Sequence, residues 1–581
     1  MTSKTNIQEI VFVLGFAVLS ALLLFLPSLS LLGGEDHSLP RQLYEAFFHS
    51  AQHERLLGEG ADPLGSFWIV GFVEGTLSGE HGALTDKLYA PFGLDLGMHE
   101  GYAWLDTLFA MPLRWLIGSP GFYNLHVLCT LILSFLGCYW LFRSCTSNRW
   151  WALVAAHLSI VNEFVYQEIS YGRPTQVNWL FAALFAGSAI QLVEHPQKWH
   201  WALIGGVMMG AFCLIYWFGA ASLGFVALFY LFYGHARQKA WGLGLRNALL
   251  MLAGVMAVIL PVCWRLILPI LQGVPNSAYA SLLSSPKKVY SVLGLSLPVY
   301  SSEMILSLSD LKIFVLGRHY PIFLLLFALV ATVLLLRRKH ISTLLFLILA
   351  LLMPVGSALT LWDTIIPMPF SWLEWIFPPM VRCNFPDRLM FTPLAVVLLV
   401  ISYGHKPLLE PLKRLSKKSL SVLILGGLMG NLLWVWHSHT PDVTDFTINK
   451  ALVKTARQAP GGFIEFPFDR GNLTYVQNEF HQQQVLTGPG MMMIHPPESK
   501  RYIEENGVLS ALNKVNEKGF NPRDRLPPLD VLELQKDGFR HLVLYLDEIN
   551  QPVRDFERLL KMEGIAYPEY GVHIIPLPEP K

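Results

Sequence analysis

Charge is what this 581-residue chain has least of: only 15% of its residues are Asp, Glu, Lys or Arg. A soluble domain carries about 25%, so the deficit excludes an ordinary soluble enzyme. Lys and Arg number 43 against 42 Asp and Glu, which leaves no basic excess to hold a nucleic acid. Cysteine is also scarce, with six residues, no Cys-x-x-Cys pair and most of them inside apolar runs. That excludes a disulfide framework and a cysteine zinc site. Neither a solenoid repeat nor a low-complexity tract is present. What fills the chain instead is apolar: 53% of its residues are hydrophobic.

The apolar residues come in runs of about 17–25, the length of a membrane-spanning helix. They read as an α-helical polytopic membrane protein with about eleven spans. The expected spans are 10–32, 121–142, 150–168, 177–193, 200–216, 218–233, 247–269, 320–336, 341–360, 389–404 and 419–437. The pair 200–216 and 218–233 also reads as one broken element, and 103–118 as a re-entrant helix. The first run is too long for a signal-peptide core, so it is expected to be retained. The positive-inside rule tests this topology. With Lys4 inside, alternate short loops carry Arg143 and Arg149; Lys198; Arg237, Lys239 and Arg246; Arg337, Arg338 and Lys339; then Lys406, Lys413, Arg414, Lys417 and Lys418. Every basic cluster falls on one side. Loops 33–120, 270–319 and 361–388 fall on the other, with the tail after 438. Inside the spans ionisable residues are few, among them His126, His157, Glu163 and Arg265. Glu163 and Arg265 lie near outer helix ends, where a long side chain reaches the interface.

After residue 438 the composition turns polar. Phe463-Ile464-Glu465-Phe466, His541 to Leu546 and Val572-His573-Ile574-Ile575 read as strands, and Asp555 to Glu563 as a helix. The chain is expected to divide into a membrane domain, 1–437, and a small α/β domain outside the membrane, 438–581. In that tail Glu465, Asp469 and His481 are polar enough for a sugar site, although a role in the fold suits them better.

The candidate chemistry gathers on the outer side, above all in loop 33–120, which is too apolar and aromatic for a disordered segment. Asp62 is the candidate general base for an acceptor hydroxyl. It precedes Pro63, so it also suits the start of a helix. Glu100, between His99 and Gly101, could help that base or orient an acceptor; Asp86 opens the turn Tyr89-Ala90-Pro91-Phe92-Gly93 and suits a turn former. One histidine and two acids at this spacing leave room for a divalent metal without requiring one. In the next outer loop Arg173 beside Gly172 suits a phosphate, because its planar fork donates in pairs. Gln176 suits a sugar hydroxyl. Arg382 and Arg388 stand on the side where cations are disfavoured, which an anionic lipid phosphate would compensate. Asp387 is their alternative partner. The tryptophans before them, Trp362, Trp372 and Trp375, form an interface belt.

The order of one span, a long acidic outer loop, many further spans and an outer tail resembles the GT-C superfamily of polyprenyl-phosphate-sugar glycosyltransferases. The stretches that carry the likeness are Gly60-Ala61-Asp62-Pro63, Tyr89-Ala90-Pro91-Phe92-Gly93 with His99-Glu100, Gly172-Arg173 with Gln176, Arg382 to Arg388, and Gly462 to Phe468. The resemblance implies a bacterial cell-envelope enzyme of the cytoplasmic membrane. Its partners would be membrane lipid and a polyprenyl-phosphate-linked sugar, with no cofactor required. It implies an essential acid at Asp62, with Glu100 second, and a donor phosphate met by Arg173, Arg382 or Arg388. The chain departs from the family in lacking an acidic Asp-x-Asp or Glu-x-Asp motif and a Trp-Trp-Asp signature, which argues against an oligosaccharyltransferase. The competing expectation is a lipid-linked glycan translocase or a non-catalytic assembly factor.

Overall fold

The computed structural model describes residues 7–33, 38–48, 55–60, 62–80, 84–85, 87–95, 104–119, 121–146, 148–271, 288–292, 295–299, 305–307, 322–337, 341–361, 364–377, 380, 386–409, 417–438, 443–468, 473–487, 497–517, 529–549, 553 and 556–577. The chain forms two compact units, Met1–His49 with Tyr102–Val443, and Ser50–Gly101 with Thr444–Lys581. The cut therefore differs from the expected boundary at 437: the middle of region 33–120 groups with the tail.

The first unit is a helical bundle. Five of its described helical segments are long and apolar enough to cross a membrane: Ile7–Leu29, Gly121–Cys145, Pro174–Glu194, His200–Arg237 and Trp241–Val262. Phe323–Arg337, Thr343–Val355 and Phe391–Tyr403 are shorter apolar helices. The strip expected as a re-entrant element is a helix, Trp104–Ile117.

Two expected spans contain breaks, each with a side chain to satisfy it. Region 150–168 divides into Arg149–Ile160 and Glu163–Ser170. At the break, the Asn162 amide donates to the carbonyls of Leu158 and Ser159, while its carbonyl oxygen accepts the Val165 N–H. One residue thus ends one helix and caps the next. Region 177–193 is broken before Leu180–Glu194. There the Ser134 hydroxyl donates to the Val177 carbonyl at 2.7 Å and accepts from the Trp179 N–H at 2.8 Å. That serine comes from another helix, so hydropathy along the broken segment carries no sign of it.

The run His200–Arg237 contains a non-helical residue, Tyr216, with φ −147° and ψ 85°. A Cβ placed on Gly224 would lie 2.5 Å from Cε of Met209, 15 residues earlier. A straight helix would separate those positions by about 22 Å. The chain therefore doubles back at Tyr216, which is why 200–216 and 218–233 read as two runs. The first arm crosses Trp241–Leu271 with backbones touching. A Cβ on Gly206 would meet the Met251 carbonyl oxygen at 2.1 Å, and the Cα of Gly206 lies 3.0 Å from a Cβ placed on Gly254. Glycine at both positions permits this approach.

The basic turns gather at one end of the bundle. Arg246 and Asn247 donate to the Pro196 carbonyl, and Gln238 to that of Val193. The Tyr403 hydroxyl donates to Glu194, and the Trp151 indole to the neighbouring Ser402. Arg143, Arg149, Lys198, Arg237, Lys239 and Arg246 all belong to these turns. At the opposite end, the Tyr123 hydroxyl donates to the Gly172 carbonyl, Asn431 to that of Val161, and the Trp179 ring lies 5.0 Å from that of Phe391.

The second unit holds a four-stranded sheet, ordered Gly462–Phe466, Phe539–Tyr545, Val572–Pro576, Ile565–Tyr567. The first pairing is parallel and the other two antiparallel. A parallel pair needs a crossover, and helices Leu473–His481, Pro497–Glu505, Gly507–Asn516 and Leu532–Lys536 lie within it. The core joins Ile464, Phe466, Leu509, Leu512, Leu542 and Ile575 to Ala90 of the early segment. Each run expected to be a strand contains one. Within 555–563 the structure has a helix, Phe556–Leu560.

The early segment is bound to the tail by specific polar contacts. The Trp68 indole donates to the Asn478 side-chain oxygen at 3.0 Å, and the Asn478 amide donates to the carbonyls of Lys87 and Gln483. The Ala90 N–H donates to the Val485 carbonyl, and the Val485 N–H to that of Lys87. Phe67 lies between the rings of Phe446 and Phe480. The turn Tyr89 to Gly93 is thus part of a folded core.

Candidate functional site

In the first unit, polar side chains converge at the end away from the basic turns. Arg173 precedes the short helix Pro174–Val177. Gly172, at φ +70°, turns the chain there, and only glycine takes that conformation without strain. The Arg173 guanidinium lies 3.7 Å from the carboxylate of buried Glu168 and 4.8 Å from the centre of the Tyr171 ring. A carboxylate on one side and a ring face on the other hold its planar fork in place.

Gln176 and Asn178 follow in the same turn, 7% and 1% exposed. Among the described residues, neither Oε1 of Gln176 nor Oδ1 of Asn178 has a hydrogen-bond partner. Buried acceptors without donors are costly, and hydroxyl groups of a bound molecule would satisfy them. The Asn178 amide donates to Oδ1 of Asp106 at 2.7 Å, and Oδ2 of Asp106 lies 2.9 Å from Nε2 of His126. Asp106 is 5% exposed and both its oxygens are engaged, so it positions other groups. It ties helix Trp104–Ile117 to Gly121–Cys145 and to the turn that carries Arg173 and Gln176.

Of the residues expected from sequence, the structure brings Arg173 and Gln176 together in this turn. Arg388 belongs to the 3₁₀ turn Pro386–Leu389 in the same unit. Three residues later Phe391 packs on Trp179, next to Asn178. Asp62 belongs to the second unit, where it is half-buried in the first turn of helix Asp62–Ser78. Asp86, His99, Glu100 and Arg382 lie outside the described residues. Asp106 and Asn178 were not singled out from sequence. The available signal was His126, a histidine in an apolar run that needs a partner. Among the described residues, no group of three His, Cys, Asp or Glu side chains is placed to hold a metal ion.

The tail residues Glu465 and His481 form a buried network. The Tyr545 hydroxyl donates to Oε2 of Glu465 at 3.0 Å, and Nε2 of His481 lies 3.6 Å from Oε1. Nδ1 of His481 accepts the Gln483 N–H, so the ring proton sits on Nε2, toward the carboxylate. The Phe463 ring lies between His481 and His541, 4.8 and 4.9 Å from them. These groups hold the sheet to helix Leu473–His481. Asp469 lies outside the described residues.

No protein-family model matches the sequence, and no curated protein does. Among solved structures, the chain is similar to the cryo-EM structure of arabinofuranosyltransferase AftD from Mycobacteria, a GT-C superfamily enzyme. The match covers 97% of this chain at a TM-score of 0.52 and 13% identity. The chain shares the overall fold of that structure. The chain spans only 40% of that structure's length. At this identity the likeness describes the fold alone.

Proposed function

We propose that the chain is a membrane glycosyltransferase. It moves a sugar from a polyprenyl-phosphate donor to a lipid, glycan or protein acceptor at the outer face of a bacterial cytoplasmic membrane. The observation that carries this reading is the turn Gly172–Asn178. It presents an arginine fork and two unpartnered amide oxygens at the end of the bundle opposite the basic loops. The fold shared with an arabinofuranosyltransferase over 97% of the chain supports the same class of reaction.

In this reading the N-terminus faces the cytoplasm, about eleven spans follow, and the tail is an extracytoplasmic α/β domain. Asp62 accepts the proton of the acceptor hydroxyl as its oxygen bonds to the anomeric carbon. The anomeric bond to phosphate breaks, and polyprenyl phosphate leaves with inversion at carbon. Arg173 offsets charge on the departing phosphate, with Arg382 and Arg388 as further cations. Gln176 accepts from a sugar hydroxyl. Glu100, His99 and Asp86 serve the acceptor side.

The test is to incubate the purified protein with a panel of polyprenyl-phosphate sugars and measure release of the lipid phosphate. Transfer by the wild type, lost in Asp62→Asn with donor binding retained, is the expected result. Movement of the intact lipid-linked sugar across vesicles, unaffected by Asp62→Asn, would favour a translocase instead.

A further inference from the structure

Far from the candidate site, helices Leu180–Glu194, His200–Arg237, Ile322–Arg337, Ile341–Leu352 and Phe391–Leu409 enclose a cavity of about 330 Å³. Small alanines, including Ala189, Ala227 and Ala395, stand among the larger aliphatic and aromatic side chains of its walls. Most of its walls are apolar. At one end they become polar, with Tyr230, Tyr403 and Arg237. That end belongs to the basic turns, since Tyr403 donates to Glu194 at 3.1 Å and Arg237 is the last residue of its helix. Arg337 is exposed and ends helix Ile322–Arg337, one turn beyond the lining residue Leu334.

The cavity is separate from the Arg173 turn. Helix Leu180–Glu194 begins just after Asn178 and ends at Glu194. Its 15 residues span about 22 Å. The two sites therefore lie toward opposite ends of one helix.

We infer that this cavity binds an anionic phospholipid of the leaflet on the basic side, with an acyl chain among the alanines and the phosphate at Arg237 and Arg337. The apolar interior excludes a polar ligand. The polar rim suits a single headgroup: guanidinium forks bind phosphate in pairs, and tyrosine hydroxyls serve at the level of the headgroups. Glu194 also stands at this rim, where the Tyr403 hydroxyl engages it. The net charge of the mouth is set by the arginines and by the basic turns around them. A neutral or zwitterionic lipid would leave that charge without a counterpart, and the leaflet facing basic loops is the anionic one. The inference does not depend on glycosyl transfer.

Native mass spectrometry of the full-length protein, released from nanodiscs of equal phosphatidylglycerol and phosphatidylethanolamine, tests it. Phosphatidylglycerol should be retained at least about tenfold over phosphatidylethanolamine, a difference of 1.4 kcal/mol. Ala227→Trp fills the cavity and should abolish retention. The double variant Arg237→Glu, Arg337→Glu changes only exposed helix ends, so it keeps the core intact, and it should remove the preference. Equal retention of the two lipids by the wild type would overturn the inference. So would unchanged retention in the charge variant, or displacement of the phospholipid by added polyprenyl phosphate.

Discussion

The two units reach stability by different routes. In the bundle, some helices pack on the next, with backbones touching at Gly206 and Gly254, and others meet helices far along the chain, as Trp151 meets Ser402 and Asn431 meets Val161. Its polar contacts gather at helix ends and at breaks, as with Arg246, Asn162 and Ser134. The second unit is sewn from segments about four hundred residues apart. Trp68 meets Asn478, and the Arg55 guanidinium lies 2.7 Å from the Asp445 carboxylate. The consecutive helix pairs of the bundle can form during synthesis, before the later helices complete it. The early part of the other unit must wait for the tail, because its buried donors and acceptors have no partners until then.

That difference can be broken open experimentally. The largest effect should come from the bundle's polar turn, and it should touch activity without touching fold. Arg173→Ala should lower transfer by about 10²–10³, and Arg173→Lys by less, since charge remains while the paired fork is lost. Turnover with a polyprenyl-phosphate sugar measures both. If Arg173→Ala keeps full turnover, this arginine does not meet the phosphate.

Next in size is the seam of the second unit. Asn478→Ala removes three hydrogen bonds at a fully buried position. It should cost about 3 kcal/mol and expose segment 55–95 to protease, with the bundle's melting unchanged. Somewhat smaller is the helix crossing. Gly206→Ala puts a methyl group against the Met251 carbonyl and should cost about 1–3 kcal/mol, read as a lower melting temperature in detergent. Segment 55–95 should stay resistant in that variant. If either variant loosens both units together, they are not the independent folding units their contacts describe.

The smallest expected effect is a pH dependence in the second unit. Burial, reinforced by Arg540, pushes the His541 pKa below its usual value, against the hydrogen bond its Nε2 makes to the Ala459 carbonyl. Nδ1 has no partner. The unfolded histidine takes its proton at about pH 6.5, before the folded one does. Stability is therefore complete above that pH and declines as pH falls from there toward the folded pKa. His541→Gln should flatten this slope in melting curves between pH 7 and pH 5. An equal slope in the variant would place the dependence elsewhere.

Much of the bundle was legible because its signals are local. Apolar runs marked the helices, and alternating basic loops marked the end where Arg143, Lys198 and Arg246 now gather. That Arg173 and Gln176 share one turn was legible because a glycine turn carrying a cation between apolar runs is unusual. Asp106 was not, because its meaning lies in His126 and Asn178, which come from other elements. The breaks at Asn162 and Ser134 were hidden for the same reason. So was the membership of segment 55–95 in the second unit: its aromatic residues resembled a loop over a site, whereas Phe67, Trp68 and Ala90 are buried against the tail.

The sequence alone determined that this chain is built of membrane-length helices with basic clusters in alternate short loops, because hydropathy and charge are properties each segment has before it folds. Only the tertiary structure decided which buried polar atoms are paired, that Tyr216 reverses a helix, and that segment 55–95 completes the domain formed by the tail. Those outcomes depend on donors, acceptors and side-chain volumes brought together from distant parts of the chain, and a linear pattern cannot contain them.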